Sequence, residues 1–344
     1  MRRTVNGLAR LFFIAVLTVA LQAQDQPAAR ESVLDRQVHL EKEWVLEIPQ
    51  VPRWCDRLNL KKSRVNIGDC ELYCEEEGMG PPLVLVNGGP GNTHHYFHPE
   101  FSRATNFCRV IYYDQRGCGR SDYKPGVGYS TAQAVDDLEK LRLALKIDRW
   151  IVAGHSYGGW IAQHYAVKYP DHLAGLVLIG AQTVASSHNP NWWDSVSPEE
   201  KQAIGAARRD AKLTPGQRVF NAFLCGEWKC QNWFYRPSKE DVARFIRYDD
   251  EFDPQFRKTL KMNMPDSKDY FNQCSIPALI LEGKYDKTFS RNRPTEMQAA
   301  FPKAQVVVFE KAAHYSFKDA PELFFPELKK FVRQVAGREF CQTH

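Results

Sequence analysis

The chain has no apolar run long enough to cross a bilayer, no marked excess of one charge, no Cys-x-x-Cys pair and no internal repeat. Each absence removes a class of function. The longest apolar stretch, Leu11–Leu21 (LFFIAVLTVAL), has eleven residues, where a spanning helix needs roughly 20. The formal net charge is +5, and Arg2, Arg3 and Arg10 supply three of those charges; past residue 23, 43 basic residues face 41 acidic ones. Nucleic-acid binding calls for a concentrated basic face, so it is not expected. Nine cysteines without a Cys-x-x-Cys pair, and without a His pair at ligand spacing beside a Cys, argue against zinc. His94-His95 reads as loop chemistry. No metal and no cofactor are expected. What remains is globular: 43% hydrophobic, 12% aromatic and 25% charged over 344 residues, which excludes disordered and collagen-like chains.

The basic stretch Met1–Arg10, the apolar run and the polar return at Gln22-Ala23-Gln24 follow the order of a secretory signal peptide, with cleavage expected after Ala23. No Cys follows the run, so a lipid anchor is not indicated. The mature protein is expected to be exported, periplasmic or secreted, with no membrane association after cleavage. Export permits disulfides, and the odd cysteine count leaves at least one thiol free. Cys225 and Cys230 are spaced to staple a local loop, and Cys55 is open to pairing with Cys70 or Cys74.

From about Arg64 short β-type runs alternate with helical patterns. Arg64–Tyr73 reads as a hairpin pair. Pro82–Val86, Arg109–Tyr113, Trp150–Ala153, Leu173–Ile179, Ala278–Leu281 and Val306–Phe309 are apolar runs suited to strands covered on both faces. Thr131–Leu145 is amphipathic, with apolar residues at Ala134, Leu138, Leu141 and Leu145. The alternation predicts an α/β fold, a mostly parallel sheet with helices on both faces. It stops between about Val184 and Tyr270. There, Ser197-Pro198-Glu199-Glu200, Thr214-Pro215-Gly216-Gln217 and Ser238-Lys239-Glu240-Asp241 are helix-start signals, and Trp192, Trp193, Trp228, Trp233, Phe234 and Tyr235 are concentrated. The expected organisation is a signal peptide at 1–23, an extension at 24–60, a core at 61–183 and 271–344, and an inserted helical lid at 184–270.

Trp150–Ala153 runs into Gly154-His155-Ser156-Tyr157-Gly158, and a helical pattern follows at Trp160–Lys168. Gly-x-Ser-x-Gly between strand and helix is the context of a nucleophile elbow. Ser156 is the candidate nucleophile. Serine needs a base that is itself oriented by an acid, in the chain order Ser, Asp or Glu, His. Asp286 ends Leu279–Asp286 (LILEGKYD), and His314 follows the strand at Gln305–Phe309, so both belong at the carboxyl edge of the sheet. His172 and His344 lack that placement, and Asp319 and Glu282 are weaker candidates for the acid. Asn87-Gly88-Gly89-Pro90-Gly91 follows Leu83–Val86 and exposes backbone N–H groups suited to an oxyanion; Gly89 N–H and Tyr157 N–H are the expected pair.

These motifs resemble those of prolyl iminopeptidases, an α/β-hydrolase branch. Asn87–Gly91 is similar to their His-Gly-Gly-Pro-Gly loop, and Asp114-Gln115-Arg116-Gly117-Cys118-Gly119-Arg120-Ser121 to a shared segment. Gly154–Gly159 resembles their elbow. The likeness spans about residues 60 to 340, weakly in the lid. Asn87 departs from the family's His; it keeps a donor and an acceptor but cannot titrate. The resemblance implies the α/β-hydrolase fold and a serine aminopeptidase that releases N-terminal residues, proline preferred, from short peptides. It also implies lid acids that anchor the substrate amine, at positions resembling Glu227 and Asp249, although both equally fit solvated acids. Aromatics near Trp228 and Trp233 suit either the apolar wall for a proline ring or the packing core of the lid. Asp114 and Arg116 are expected to brace their loop by a charge-assisted contact, and Cys118 to be a packed thiol. The rival activity is an esterase or lactonase acting with the same Ser-Asp-His triad on small acyl substrates. A binding protein that kept only the fold is a further rival. Haloalkane and epoxide hydrolases use Asp where Ser156 stands.

Overall fold

A computed structural model describes residues 54–124, 128–181, 183, 198–213, 234–235, 255–262, 270–286 and 293–340, all within one compact unit, Val38–His344. Eight strands form one sheet: β1 Lys61–Asn66, β2 Glu71–Glu77, β3 Pro82–Val86, β4 Arg109–Tyr113, β5 Trp150–His155, β6 Leu173–Ile179, β7 Ala278–Gly283 and β8 Gln305–Phe309. Their order is β1-β2-β4-β3-β5-β6-β7-β8. The pairs β1·β2 and β2·β4 are antiparallel, and all other neighbours are parallel. The expected hairpin is present but longer than read. Its turn is set by Asn66, whose Oδ1 accepts the Gly68 N–H.

The apolar runs divide by the two-residue period of a strand. Val84, Val86, Ile111, Tyr113, Val152, Leu176, Leu178 and Ile280 face one core. Leu83, Leu85, Val110, Tyr112, Ile151, Ala153, Val177, Ile179, Leu279 and Leu281 face the other. Both faces are therefore covered, and each fully buried side chain of this size contributes roughly 1.5–3 kcal/mol. Helices α1 Thr131–Ala144 and α2 Tyr157–Lys168 cover the first face. The Ser130 hydroxyl caps α1 by accepting the Gln133 N–H at 3.1 Å.

Helix α3, Pro198–Arg208, starts where its capping signal lies; the other two signals and the aromatic group at 192–193 and 228–233 fall outside the described residues. Helix α4, Arg293–Ala300, joins the first face, and the long α5, Pro321–Phe340, seals the second. The cysteine expectation needs correction. Cys70 and Cys74 are free, buried thiols, so neither is bridged to Cys55. Cys74 sits at an inward position of β2, where it packs as a small apolar residue. Cys225 and Cys230 lie outside the described residues, as does the N-terminal segment. Among the described residues no helix is long and apolar enough to cross a membrane.

The strand order positions everything that follows. β3 lies between β4 and β5, and Val86 pairs with Gly154, so the loops leaving β3 and β5 emerge side by side. This is a topological switch point, where open parallel sheets form ligand crevices at the carboxyl ends of their strands. On the other side of β5, the registers Ile179↔Leu281 and Gly283↔Phe309 carry the loops after β6, β7 and β8 to the same edge.

Candidate active site

Strand β5 ends at His155 and helix α2 begins at Tyr157, which leaves Ser156 as the whole connection. Its backbone is forced to φ 55° and ψ −121°, a conformation that costs a side-chain-bearing residue roughly 1–3 kcal/mol. The flanking glycines make the turn possible. A Cβ on Gly158 would lie 2.0 Å from the Val86 carbonyl oxygen, and one on Gly154 2.3 Å from the Gly158 oxygen. The Ser156 N–H donates to the Ile179 carbonyl at 3.0 Å. Ser156 remains partly exposed between buried neighbours. Tyr157 N–H opens α2, among the first helical N–H groups that have no intrahelical acceptor.

The Asn87–Gly91 loop lies directly over this serine. A Cβ on Gly88 would come within 2.8 Å of Ser156 Cβ and 2.9 Å of the His155 oxygen, so only glycine lets the backbone pass. Gly88 N–H donates to the Tyr96 hydroxyl. Gly89, the next residue of the loop, has a positive φ of 123°, a conformation that favours glycine. Asn87 is buried and donates from Nδ2 to the Asn92 carbonyl at 2.6 Å, which braces the loop without any titrating group.

Asp286 and His314 meet. His314 Nδ1 and Asp286 Oδ2 are 2.8 Å apart, both side chains buried. A carboxylate accepting from Nδ1–H fixes the tautomer that leaves Nε2 as the proton acceptor. Asp286 is in turn held by Arg293, whose Nη2 donates to Asp286 Oδ2 at 2.7 Å, while Arg293 Nε donates to Glu282 Oε2 at 2.6 Å. Burial pushes the Glu282 carboxyl up to about 7 against the pull of the Arg293 guanidinium. The rival acids thereby acquire other roles. Glu282 is the second partner of Arg293, and Asp319 accepts the Ala313 and Tyr235 N–H groups at 2.8 and 2.9 Å. His172 stands 2.9 Å from Glu139 at an ion-pairing distance, and His344 lies outside the described residues.

A buried relay joins the two halves of the site. Gly88 N–H donates to Tyr96 Oη, whose hydroxyl donates to His155 Nδ1 at 3.0 Å, and His155 Nε2–H donates to the His314 carbonyl at 3.0 Å. The assignment requires a neutral His155. Burial supplies this, holding the ring well below the ordinary histidine range. Tyr96, His155, Glu282 and Arg293 were not singled out for these duties from sequence, because no spacing pattern announces the contacts they make.

The Asp114–Ser121 segment is braced by charge-assisted contacts, as expected, but to separate partners. Asp114 and Arg116 do not pair with each other. Asp114 Oδ1 accepts from the His94 N–H at 3.0 Å and lies 2.7 Å from His94 Nδ1, and Asp114 Oδ2 accepts the Arg120 N–H at 2.9 Å. Arg116 makes bidentate contacts with Asp137 on α1 and with Asp69 in the β1–β2 turn. Positive φ at Gly117 and Gly119 turns the chain after Arg116 and brings the Arg120 N–H back to Asp114. Cys118 is a packed thiol against Tyr129 and Phe256.

Glu227, Trp228 and Asp249 lie outside the described residues. Phe234 and Tyr235, from the same aromatic segment, are described and buried. Phe234 stacks on Tyr315 at 4.8 Å and Tyr235 lies 5.2 Å from Tyr285, beside His314 and Asp286 in sequence.

Comparison with known proteins agrees with this fold. Residues 81–321 match the family model of the alpha/beta hydrolase fold. A proline iminopeptidase of Neisseria meningitidis is 36% identical over 280 residues, covering 72% of this chain and 87% of the relative. One from Arabidopsis thaliana is 27% identical over 294 residues, 74% of each chain. Among solved structures, a thermophilic esterase from Thermogutta terrifontis superposes with a TM-score of 0.62 at 25% identity, covering 81% of this chain and all of that one. The chain belongs to the α/β-hydrolase family, as a hydrolase related to the proline iminopeptidases.

Proposed function

We propose that this protein is an exported serine aminopeptidase that removes N-terminal residues, proline preferred, from short peptides through an acyl-enzyme. The hydrogen bond between Asp286 and His314, at the sheet edge that also bears the strained Ser156, carries the chemical part of the reading. The 36% identical iminopeptidase relative supports the substrate class. In this scheme His314 takes the Ser156 proton as Oγ attacks the scissile carbonyl, while Gly89 and Tyr157 N–H groups receive the oxyanion. His314 then protonates the leaving amine, and a water deprotonated by the same imidazole hydrolyses the acyl-enzyme. Asp286 stabilises the imidazolium throughout. Residues 184–270 form the lid, from which Glu227 and Asp249 hold the substrate's cationic amine, since a buried ammonium demands a carboxylate partner; Trp228 lines the ring pocket.

The second reading, an ester or lactone hydrolase, draws on the esterase neighbour and on Asn87 in place of the family's His. One comparison separates them: kcat/KM on proline arylamide and on short acyl esters, for the wild type, Glu227→Gln and Asp249→Asn. The aminopeptidase reading expects arylamide turnover that either substitution lowers by at least tenfold, mostly through KM. Ester turnover alone, indifferent to both changes, overturns it. A fluorophosphonate probe should label wild type and not Ser156→Ala; an unlabelled wild type removes the serine-hydrolase reading altogether. Amino-terminal sequencing of the mature protein checks cleavage after Ala23.

A further inference from the structure

Between β2 and the turn that follows the Asn87–Gly91 loop, the fold gathers a second set of chemistry-bearing groups. Glu75 comes from β2, and His94, His95 and His98 come from the turn that follows the loop. All are buried. Glu75 Oε2 lies 3.2 Å from His94 Nε2 and 3.1 Å from His98 Nε2, and the three atoms lie within 4.8 Å of one another. A tetrahedral zinc ion with ligands about 2.0 Å away has ligand–ligand edges of roughly 3.3 Å, so these separations suit one ion. His95 Nδ1 lies 3.2 Å from His94 Nε2.

Two further features are those of a metal site. His94 Nδ1 faces Asp114 Oδ1 at 2.7 Å, and Glu75 Oε1 accepts the Tyr73 hydroxyl at 2.7 Å. A ligating histidine oriented by a carboxylate through its other nitrogen is the usual outer support of zinc. With Nδ1–H donated to Asp114, a neutral His94 turns its Nε2 lone pair toward Glu75 Oε2, and two acceptors face each other. Charge makes the same demand. Among the described residues, no lysine or arginine side chain is bonded to the carboxylate of Glu75 or Asp114, both fully buried. Two buried negative charges need a cation.

We propose that Glu75, His94 and His98 bind a divalent transition-metal ion, zinc by the nitrogen and carboxylate character of the donors, and that this ion ties β2 to the turn behind the glycine loop. The spacing argument against zinc weighed cysteines and tandem histidines; Glu75 enters from a strand 19 residues before His94, where no spacing rule reaches. The proposal is independent of the hydrolase reading. An imidazolium proton shared between His94 and the two carboxylates is the competing occupant.

The test uses the full mature chain, stripped by a chelator and then equilibrated with Zn²⁺ or Co²⁺. We expect one equivalent bound per chain, a visible ligand-field band for Co²⁺ of tetrahedral intensity, and zinc X-ray absorption fitted by imidazole and carboxylate ligands. Zn²⁺ should raise the midpoint of thermal unfolding of the wild type and leave those of His98→Gln and Glu75→Gln unmoved. Folded wild type that binds no metal overturns the proposal in favour of the proton. So does binding that both variants retain. Where a variant fails to fold, the wild-type stoichiometry and absorption spectrum decide, since a ligand set without a carboxylate and two imidazoles is also a refutation.

Discussion

Replacing Glu282 by Gln isolates the cost of the charge network behind His314. Glu282 is fully buried, its Oε2 accepts from Arg293 Nε, and its Oε1 has no hydrogen-bond partner among the described residues. A carboxylate with one dry oxygen is poorly stabilised, and the nearby Asp286 charge adds repulsion, so burial lifts the group from 4.5 to about 7 despite Arg293. The folded protein thus holds this proton more tightly than the unfolded chain does. The stabilisation is complete below 4.5 and is lost as the pH rises to 7 and beyond. The full span is about 3 kcal/mol, of which roughly 2.5 kcal/mol falls between pH 5 and pH 8. Gln keeps the shape and still accepts from Arg293, but does not titrate. Urea unfolding of wild type and Glu282→Gln at pH 5 and pH 8 should therefore show the variant gaining about 2.5 kcal/mol relative to wild type across that interval. Parallel stability curves would mean that Glu282 stays ionised throughout and that Arg293 fully offsets its burial.

Gly88→Ala puts a methyl 2.8 Å from Ser156 Cβ and 2.9 Å from the His155 oxygen; displacement of the loop should lower kcat about 100-fold on any substrate, with near-normal circular dichroism. Tyr96→Phe removes the link between Gly88 N–H and His155 Nδ1, and two buried polar groups left unpaired should cost about 2–5 kcal/mol in denaturant unfolding. Unchanged stability would show that His155 and Gly88 find other partners.

What was legible in the sequence follows from how the information is stored. The strands were readable because both sheet faces are covered, which forces apolar runs such as Leu173–Ile179 whose seven residues are all buried. The placement of Ser156, Asp286 and His314 at one edge was readable because a parallel sheet sends successive strand ends to one side, so position in chain order implies position in space. Spacing failed where a contact depends on how a loop reverses. Asp114 and Arg116 are two residues apart and face different partners, while Arg293 reaches back seven residues to Asp286 across a segment with no pattern to announce it. The cysteines failed for another reason: spacing measures reach along the chain, whereas Cys74 points from β2 into the core, where it packs as a small apolar residue.

The same contrast explains why the supporting groups sit where they do. Ser156 is held in a conformation its backbone disfavours, and its own helix cannot hold it there, because the strain lies at the junction. Restraint has to come from elements on either side of β5: Ile179 takes its N–H, Gly88 closes over its Cβ, and the Tyr96–His155 relay ties that glycine to the His314 carbonyl. A substitution at Tyr96 or His155 therefore acts on the glycine loop and the His314 loop together. The two changes should be less than additive with Gly88→Ala, since all three loosen one shared restraint.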